Sequence, residues 1–138
     1  MKAIHNILSE VPLFKHCTPS EIDELLKESR LMSIKRGQLF DMKKITFFAI
    51  VINGIFEIEA LGETDIVFLA PGSFFGTVPF TVNKHRGSIK ALMDSSLLLF
   101  ESEMIYKFFF FSFKSLRGYL KTTEAMGFEI NEVGKGYT

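Results

Sequence analysis

The sequence predicts a mainly β protein with flanking helices, folded as a double-stranded β-helix (jelly roll). Between residues 30 and 101, about eight short β-type runs alternate with turn residues at regular spacing, which favours a sandwich or jelly roll over a parallel sheet. On both sides of this region, apolar residues recur at helical spacing. We therefore expect one domain over 1–138, with N-terminal helices at 3–29, the β-roll at 30–101, a C-terminal helix pair at 102–126 and a tail at 127–138.

Size and composition narrow the class of protein. A chain of 138 residues with 47% hydrophobic residues can bury a real core and is globular. Sixteen basic and sixteen acidic residues balance, which argues against direct nucleic-acid binding. The single cysteine, Cys17, excludes an internal disulfide and fits a reducing compartment. Because no apolar run has the length of a signal peptide or a membrane span, we expect a cytoplasmic protein without a membrane partner.

Two helices are predicted before the β-roll. Apolar residues at helical spacing over 4–8 indicate a short amphipathic helix. A second helix has a clear start, because Thr18 can cap it, Pro19 suits the first helical position and Glu21 completes a capping box. Its buried face is expected within residues 22–26.

The strand pattern begins at Arg30. The predicted strands are 30–35, 38–42, 45–52, 56–60, 65–70, 88–93 and 97–100. The segment that begins at residue 69 opens with the end of a strand. Residues 45–52 are continuously apolar, which is typical of a strand buried on both faces. Asn53 and Gly54 predict a hairpin turn, and residues 94–96 are expected to join the last two strands as a pair.

Helical spacing returns at Ser102, which is expected to cap the next helix. We expect the phenylalanine run at 108–111 to seal the open end of the roll as core, because helical phenylalanine stripes are usually buried. The alternative, pairing with a second copy, suits residues 116–126 better. Gly127 is expected to end the helix, and the tail after it carries no structural signal.

Residues 69–91 have the features of an anion site. Gly72 and Gly76 mark turns, one or two helical turns are expected after Gly76, and the basic cluster Lys84, His85, Arg86 precedes a strand. Glycine allows a ligand to approach the backbone, and free amides at a helix start attract negative charge. Arg86 can make a two-pronged contact with a phosphate or carboxylate.

This segment resembles the phosphate-binding cassette of cyclic nucleotide-binding domains, the family of the catabolite activator protein and the regulatory subunit of protein kinase A. The similarity rests on Phe75 and Gly76, ten residues to Arg86, and then GSIKA at 87–91. The run VPLF at 11–14, the capped helix and four glycines extend it over about residues 8–121.

The resemblance implies a ligand site and a set of partners. The implied site residues are Phe75, Gly76, Thr77, Val78, Arg86, Gly87 and Ser88. Arg86 would face the cyclic phosphate, with Ser88 and the amides near Gly76 as further donors. The implied ligand is a cyclic nucleotide, cAMP or cGMP, and the long C-terminal helix would form a homodimer.

The cassette departs from the family at Thr77, where nucleotide-binding members usually carry a glutamate that accepts a hydrogen bond from the ribose 2′-hydroxyl. Losing such a bond costs on the order of 1.5–3 kcal/mol. Pro79 and Phe80 also replace the small and aliphatic residues that are usual there. Two hypotheses follow: a sensor or regulatory module in signal transduction that holds an anionic ligand at Arg86, or a degenerate roll that binds no nucleotide and serves dimerisation or protein interaction.

Other chemistries have little support in the sequence. His5, His16 and His85 are far apart and form no His-x-His motif, so we expect no metal site. There is no nucleophile elbow, phosphate loop or paired-carboxylate pattern, so we expect no enzyme; a metal-free cupin-type enzyme is the weakest hypothesis. Only about a dozen residues follow Met126, which is too short for a helix-turn-helix, so no DNA-binding domain is expected.

Overall fold

The computed structural model describes residues 2–59, 66–81, 87–111 and 113–130. Over these residues the helices are α1 (Lys2–Glu10), α2 (Pro19–Glu28), α3 (Ser102–Phe111) and α4 (Phe113–Ala125), with short 3₁₀ turns at Pro12–Phe14 and Met42–Lys44. The strands are β1 (Arg30–Ile34), β2 (Leu39–Asp41), β3 (Phe47–Asn53), β4 (Phe56–Glu59), β5 (Ile66–Leu69), β6 (Phe74–Gly76), β7 (Ser88–Ala91) and β8 (Ser95–Glu101). The predicted fold class, a β-roll with helices at both ends, is confirmed.

The strands form two antiparallel sheets, with the order β1-β8-β3-β6 in the first sheet and β2-β7-β4-β5 in the second. Among the described strands, only β4 and β5 are consecutive and paired with each other. Every other connection between consecutive described strands carries the chain from one sheet to the other. This alternation is the jelly-roll path.

Two predicted strand pairings are wrong. The turn at Gly54 does not close a hairpin, because β3 belongs to the first sheet and β4 to the second. Gly54 has a φ of 94°, and a Cβ at this position would collide with the side chain of Ser95. The predicted pairing of strand 88–93 with strand 97–100 is also absent. Instead β7 pairs with β2 and β4, whereas β8 pairs with β1 and β3. Turn residues show where the backbone reverses, but non-local packing decides which strand comes next to which.

The central strands of the first sheet, β3 and β8, are apolar on both faces. In β3, Ala49 and Val51 belong to the core between the two sheets, whereas Phe48 and Ile50 belong to the core under the helices. The leucines of β8 divide between the two cores in the same alternating way. This explains the continuous apolar run that predicted a buried strand at 45–52.

Phe14, in the 3₁₀ turn after α1, joins the helices to the first sheet. Its ring centroid lies 6.0 Å from that of Phe48, 6.2 Å from that of Phe100 and 6.1 Å from that of Phe109. The ring is fully buried. Since these three phenylalanines belong to β3, β8 and α3, it packs against all three elements at once. The run VPLF thus fixes the N-terminal segment against the roll.

The predicted start of α2 is confirmed. The amide of Glu21 donates to Thr18 Oγ1 at 3.1 Å, and the amide of Thr18 donates to Glu21 Oε1 at 2.8 Å. Pro19 is the first helical residue, and Ile22 and Leu25 are buried as expected.

The C-terminal helices differ from the prediction in their exposed residues. Phe109 is buried, but Phe110 is 48% exposed and Phe111 is 85% exposed, so the interpretation of 108–111 as core is wrong for these two. Leu116 and Leu120, expected to suit a second copy, are buried within this chain. Ser102 is the first residue of α3 and no cap; its hydroxyl donates to the Thr46 carbonyl oxygen at 2.6 Å.

Residues 126–130 are structured, in contrast to the tail expected from the sequence. The amide of Gly127 donates to the Glu124 carbonyl and the amide of Phe128 to the Thr123 carbonyl, both at 3.0 Å, which is a Schellman motif. This ending returns the chain to the roll, where Ile130 forms an antiparallel bridge with Thr81.

A packing constraint on α4 gives a first test. Alanine in place of glycine inside a helix normally stabilises by about 1 kcal/mol. At Gly118, however, a Cβ would lie 2.7 Å from the Cβ of His16 and would collide with the imidazole ring. We expect Gly118→Ala to lower the free energy of unfolding by about 1–3 kcal/mol in urea denaturation.

The matched control places the same substitution in a His16→Gly background. There the collision is absent, so Gly118→Ala should be neutral or stabilising. An equal loss of stability in both backgrounds would contradict this packing.

Candidate functional site

A cavity of about 300 Å³ lies beside β6, next to the cassette residues; we call it the β-roll pocket. Phe74, Phe75, Gly76 and Val78 line it, and Phe128, whose ring centroid lies 6.1 Å from that of Phe74, lines it as well. Met42, Ile58, Leu69, Gly72 and Ser73 complete the described lining. Apart from the Ser73 hydroxyl, the described side chains of this lining are apolar, and the volume is at the small end for ligand pockets.

Gly76 is required by packing within the first sheet. Its φ is 100°, and a Cβ would collide with the Phe47 carbonyl oxygen and lie 3.2 Å from the Ile45 Cγ2 methyl. Phe75, on the neighbouring position, is buried between the sheets with its ring centroid 5.7 Å from that of Phe56. Packing within the protein therefore explains why these two residues stand at positions 75 and 76. The ligand contact that the resemblance implies is not needed to explain them.

Thr77 attaches the cassette to β3. Its amide donates to the Phe47 carbonyl at 2.9 Å, and its hydroxyl donates to the Ile45 carbonyl at 3.1 Å. Thr77 does not line the β-roll pocket, whereas Val78 does. The side chain at this position is thus used for anchoring the backbone.

The helical turns expected after Gly76 are absent over the described residues 77–81, so that prediction is wrong there. Pro79 lacks an amide donor and disfavours a helical conformation of the residue before it. Phe80 has a φ of 64°, in the left-handed region that non-glycine residues rarely adopt. Its amide donates to the Tyr106 hydroxyl at 2.9 Å, and the two ring centroids are 4.5 Å apart.

Tyr119 provides a second link between this segment and the C-terminal helices. Its hydroxyl donates to the Pro79 carbonyl oxygen at 3.0 Å. Burial raises the pKa of Tyr119 well above its ordinary value of 10.0, and the nearby Tyr106 raises it further. The hydroxyl therefore stays protonated and remains a donor. Residues 79 and 80 are consequently bonded to both α3 and α4.

The second half of the cassette is only partly described. Lys84, His85 and Arg86 lie outside the described residues. The Gly87 carbonyl accepts a hydrogen bond from the Met42 amide at 3.0 Å.

Ser88 begins β7, opposite Asp41 and Glu59 in the register. Since Ile89 is buried toward the core, Ser88 shares the outer face of the second sheet with these carboxylates. The structure does not bring Ser88 to the β-roll pocket.

Two other kinds of feature are absent from the part of the chain that the structure describes. No group of three or more His, Cys, Asp or Glu side chains is arranged to hold a metal ion. No helix there is long and apolar enough to cross a membrane.

No protein-family model and no curated protein matches the chain. Solved structures do. The N-terminal domain of a transcriptional regulator from Streptomyces coelicolor A3(2) is 14% identical, with a TM-score of 0.72, over 87% of this chain and 89% of that one. The sensor domain of the transcriptional regulator DNR from Pseudomonas aeruginosa is 19% identical, with a TM-score of 0.70, over 88% of this chain and 91% of that one. The regulatory domain of Toxoplasma gondii PKA with cAMP is 17% identical, with a TM-score of 0.68, over 78% of this chain and 43% of that one.

The chain has the cyclic nucleotide-binding domain fold. The resemblance inferred from the cassette is thus confirmed at the level of the fold. The chain spans about nine tenths of the two bacterial regulator domains, but 49–61% of three longer proteins that share the cyclic nucleotide-binding fold.

The Tyr119 hydrogen bond gives a second test. Tyr119→Phe removes the donor and leaves the Pro79 carbonyl without this buried partner, so we expect the free energy of unfolding to fall by about 1–2 kcal/mol. Above pH 10.0 the tyrosine ionises in the unfolded chain while the folded hydroxyl stays protonated. The unfolded state then binds fewer protons, and stability falls as the pH rises.

Tyr119→Phe lacks this contribution, so its stability should fall less steeply above pH 10.0 than that of the wild type. Urea denaturation of both proteins on each side of that pH measures the difference. Parallel pH profiles would show that Tyr119 is not the buried, protonated donor described above.

Proposed function

We propose that the chain is a regulatory sensor module that captures a small ligand in the β-roll pocket and passes the change to α3 and α4. The observation that carries the proposal is the position in the chain of two residues that line the pocket, Val78 and Phe128. Val78 lies one residue before Pro79, whose carbonyl oxygen Tyr119 of α4 binds, and Phe128 lies three residues after Ala125, the last residue of α4, within the Schellman motif that ends the helix. A ligand in this pocket therefore contacts the two segments that hold the C-terminal helices against the roll.

The proposed ligand is a cyclic nucleotide, cAMP or cGMP. Three observations support this choice: the shared fold, the cAMP present in the matched T. gondii structure, and the ten-residue spacing from Gly76 to Arg86. The apolar walls at Phe75 and Val78 suit the face of a purine base. Arg86 would pair with the cyclic phosphate through two parallel hydrogen bonds, and the backbone amides near Gly76 would be further donors to it.

The proposed mechanism is a shift between two arrangements of the C-terminal segment. Phe128 packs 6.1 Å from Phe74 between ring centroids and narrows the pocket. A ligand that binds more tightly when Phe128 is displaced shifts the equilibrium toward the displaced arrangement. The size of the shift is set by the difference between its affinities for the two arrangements. Because Phe128 continues the Schellman ending of α4, the displacement also shifts the end of that helix. The proposed output is regulatory, through a homodimer or another partner of the C-terminal helices, and does not involve catalysis.

A second candidate function has its own support. The Thr77 hydroxyl is committed to the Ile45 carbonyl, and Phe80 is buried against Tyr106. No charged side chain lines the pocket among its described residues. These observations favour a degenerate roll that binds no nucleotide and serves dimerisation or protein interaction.

The test is a thermal-shift and calorimetry screen with cAMP, cGMP and cyclic dinucleotides. A ligand at about a hundred times its dissociation constant stabilises the fold by roughly 2.7 kcal/mol, which is easily detected. Arg86→Ala should weaken binding by more than about tenfold, because a charged hydrogen-bond partner is lost. Ile58→Trp should block the pocket directly, because Ile58 is part of its wall.

The matched control is Arg36→Ala, which removes an exposed arginine from the turn between β1 and β2; only the backbone amide of Arg36 bonds to Asp94. Binding that survives in Arg36→Ala but is lost in Arg86→Ala and Ile58→Trp would support the sensor. Binding that all three variants retain would place the ligand elsewhere. The absence of stabilisation by every nucleotide would refute the cyclic nucleotide sensor and favour the second candidate.

A further inference from the structure

A second concave surface, larger than the β-roll pocket, lies between α2, α3 and the end of β8. Its volume is about 790 Å³. Three glutamates of α2 line one side, and three apolar residues of α3 line the other, with Glu101 and Glu103 where β8 meets α3. We call this surface the acidic groove. It is separate from the cassette and shares no lining residue with the β-roll pocket.

The apolar side of the acidic groove is a helical stripe. Met104, Phe108 and Phe111 are four and three residues apart on α3, so they lie on the same face of the helix. The stripe is about 10 Å long, since each helical residue rises 1.5 Å. Phe111 is 85% exposed. An aromatic ring this exposed, next to other apolar side chains, is typical of a surface that a partner covers.

The acidic side of the groove is a second stripe, which also has helical spacing but lies on α2. Glu21, Glu24 and Glu28 are three and four residues apart on α2. Glu21 already accepts hydrogen bonds from the Thr18 amide and the Ser115 hydroxyl, whereas the carboxylates of Glu24 and Glu28 belong to exposed residues. The groove thus pairs an apolar stripe with an acidic one.

The charge of the groove is strongly negative, although the whole chain is neutral. Five glutamates line it against two lysines, Lys27 and Lys107. Lys107 Nζ lies 3.6 Å from Glu103 Oε1, four residues earlier on the same helix. The remaining imbalance favours a cationic partner.

We propose that the acidic groove docks a basic amphipathic helix of a partner protein. Helices that bind in grooves insert apolar anchors spaced at i, i+3, i+4 and i+7, and two turns of such a helix match the α3 stripe. Lysine or arginine residues on the neighbouring face of that helix would meet Glu24 and Glu28. The proposal does not depend on whether the β-roll pocket binds a nucleotide.

The groove is also connected to the C-terminal helix. The Ser115 hydroxyl of α4 donates to Glu21 Oε2 at 2.8 Å. A helix docked over Glu21 would therefore contact a residue bonded directly to α4, and this places the partner next to the helices that the β-roll pocket also contacts.

The test uses a synthetic leucine–lysine peptide, with leucines at helical spacing, and a leucine–glutamate peptide of the same pattern. Fluorescence anisotropy should show that the full chain binds the basic peptide and not the acidic one, and that salt weakens binding. Phe111→Ser and the double variant Glu24→Lys/Glu28→Lys should each weaken binding by at least about tenfold.

Two matched controls separate the groove from the general surface. Phe68→Ser removes a phenylalanine of β5 that is 62% exposed and does not line the groove, and Glu124→Lys reverses an exposed charge on α4. Both should bind the basic peptide as the wild type does. Circular dichroism confirms that each variant is folded, which is expected because every substituted side chain is exposed.

Three results would overturn the proposal. The first is no binding of the basic peptide, and the second is binding that the groove variants leave unchanged. The third is self-association of the wild type, seen by sedimentation, that Phe111→Ser abolishes; a second copy of the chain would then be the occupant of the groove.

Discussion

The structure depends on one constraint, which is that β3 and β8, the central strands of the first sheet, are apolar on both faces. Phe48 and Ile50 of β3 face one way, Ala49 and Val51 the other, and neither set can be left in water. The second sheet covers one face, and α1, the Phe14 turn, α3 and α4 cover the other. The helices are therefore an essential layer of the fold. Any ligand that works on the roll acts on a protein whose helical layer is packed directly against the strands.

This layered packing explains why the cassette is bonded to helices. The segment after Gly76 leaves the first sheet at its edge strand, β6, and must pass under α3 and α4. Proline at 79 and a left-handed Phe80 make that passage without a helical turn, and two tyrosine hydroxyls satisfy the backbone groups that a helix would otherwise pair. The residues that carry the connection to the C-terminal helices, Pro79 and Phe80, thus directly follow Thr77 and Val78, which are expected at the ligand site.

The sequence predicted the features that depend on local interactions. The capping box at Thr18, the buried strand at 45–52 and the helix end at Gly127 each follow from a few neighbouring residues. It failed where distant residues decide the outcome. The turn at Gly54 was interpreted as a hairpin, but its partner across space is Ser95, which no local pattern reveals. Phe111 was expected in the core because helical phenylalanine stripes are usually buried, yet helix geometry turns Phe109 and Phe111 to different faces. Thr77 was recognised as unusual, but its bond to Ile45 depends on how β3 and β6 meet.

The position of β8 has a consequence for how the chain is made. It is the last of the described strands, yet it lies between β1 and β3 in the first sheet. The register partner of Arg30 is Leu99, so β1 cannot pair with β8 until the chain has been synthesised as far as Leu99. Until then, the emerging chain carries β1 and β3 with edges that lack this partner strand and with the phenylalanine side chains of β3 uncovered, the condition in which strands associate with the wrong partners. Closure of the first sheet therefore depends on pairings between residues far apart in sequence, which form slowly and leave strand edges open to aggregation until they are made.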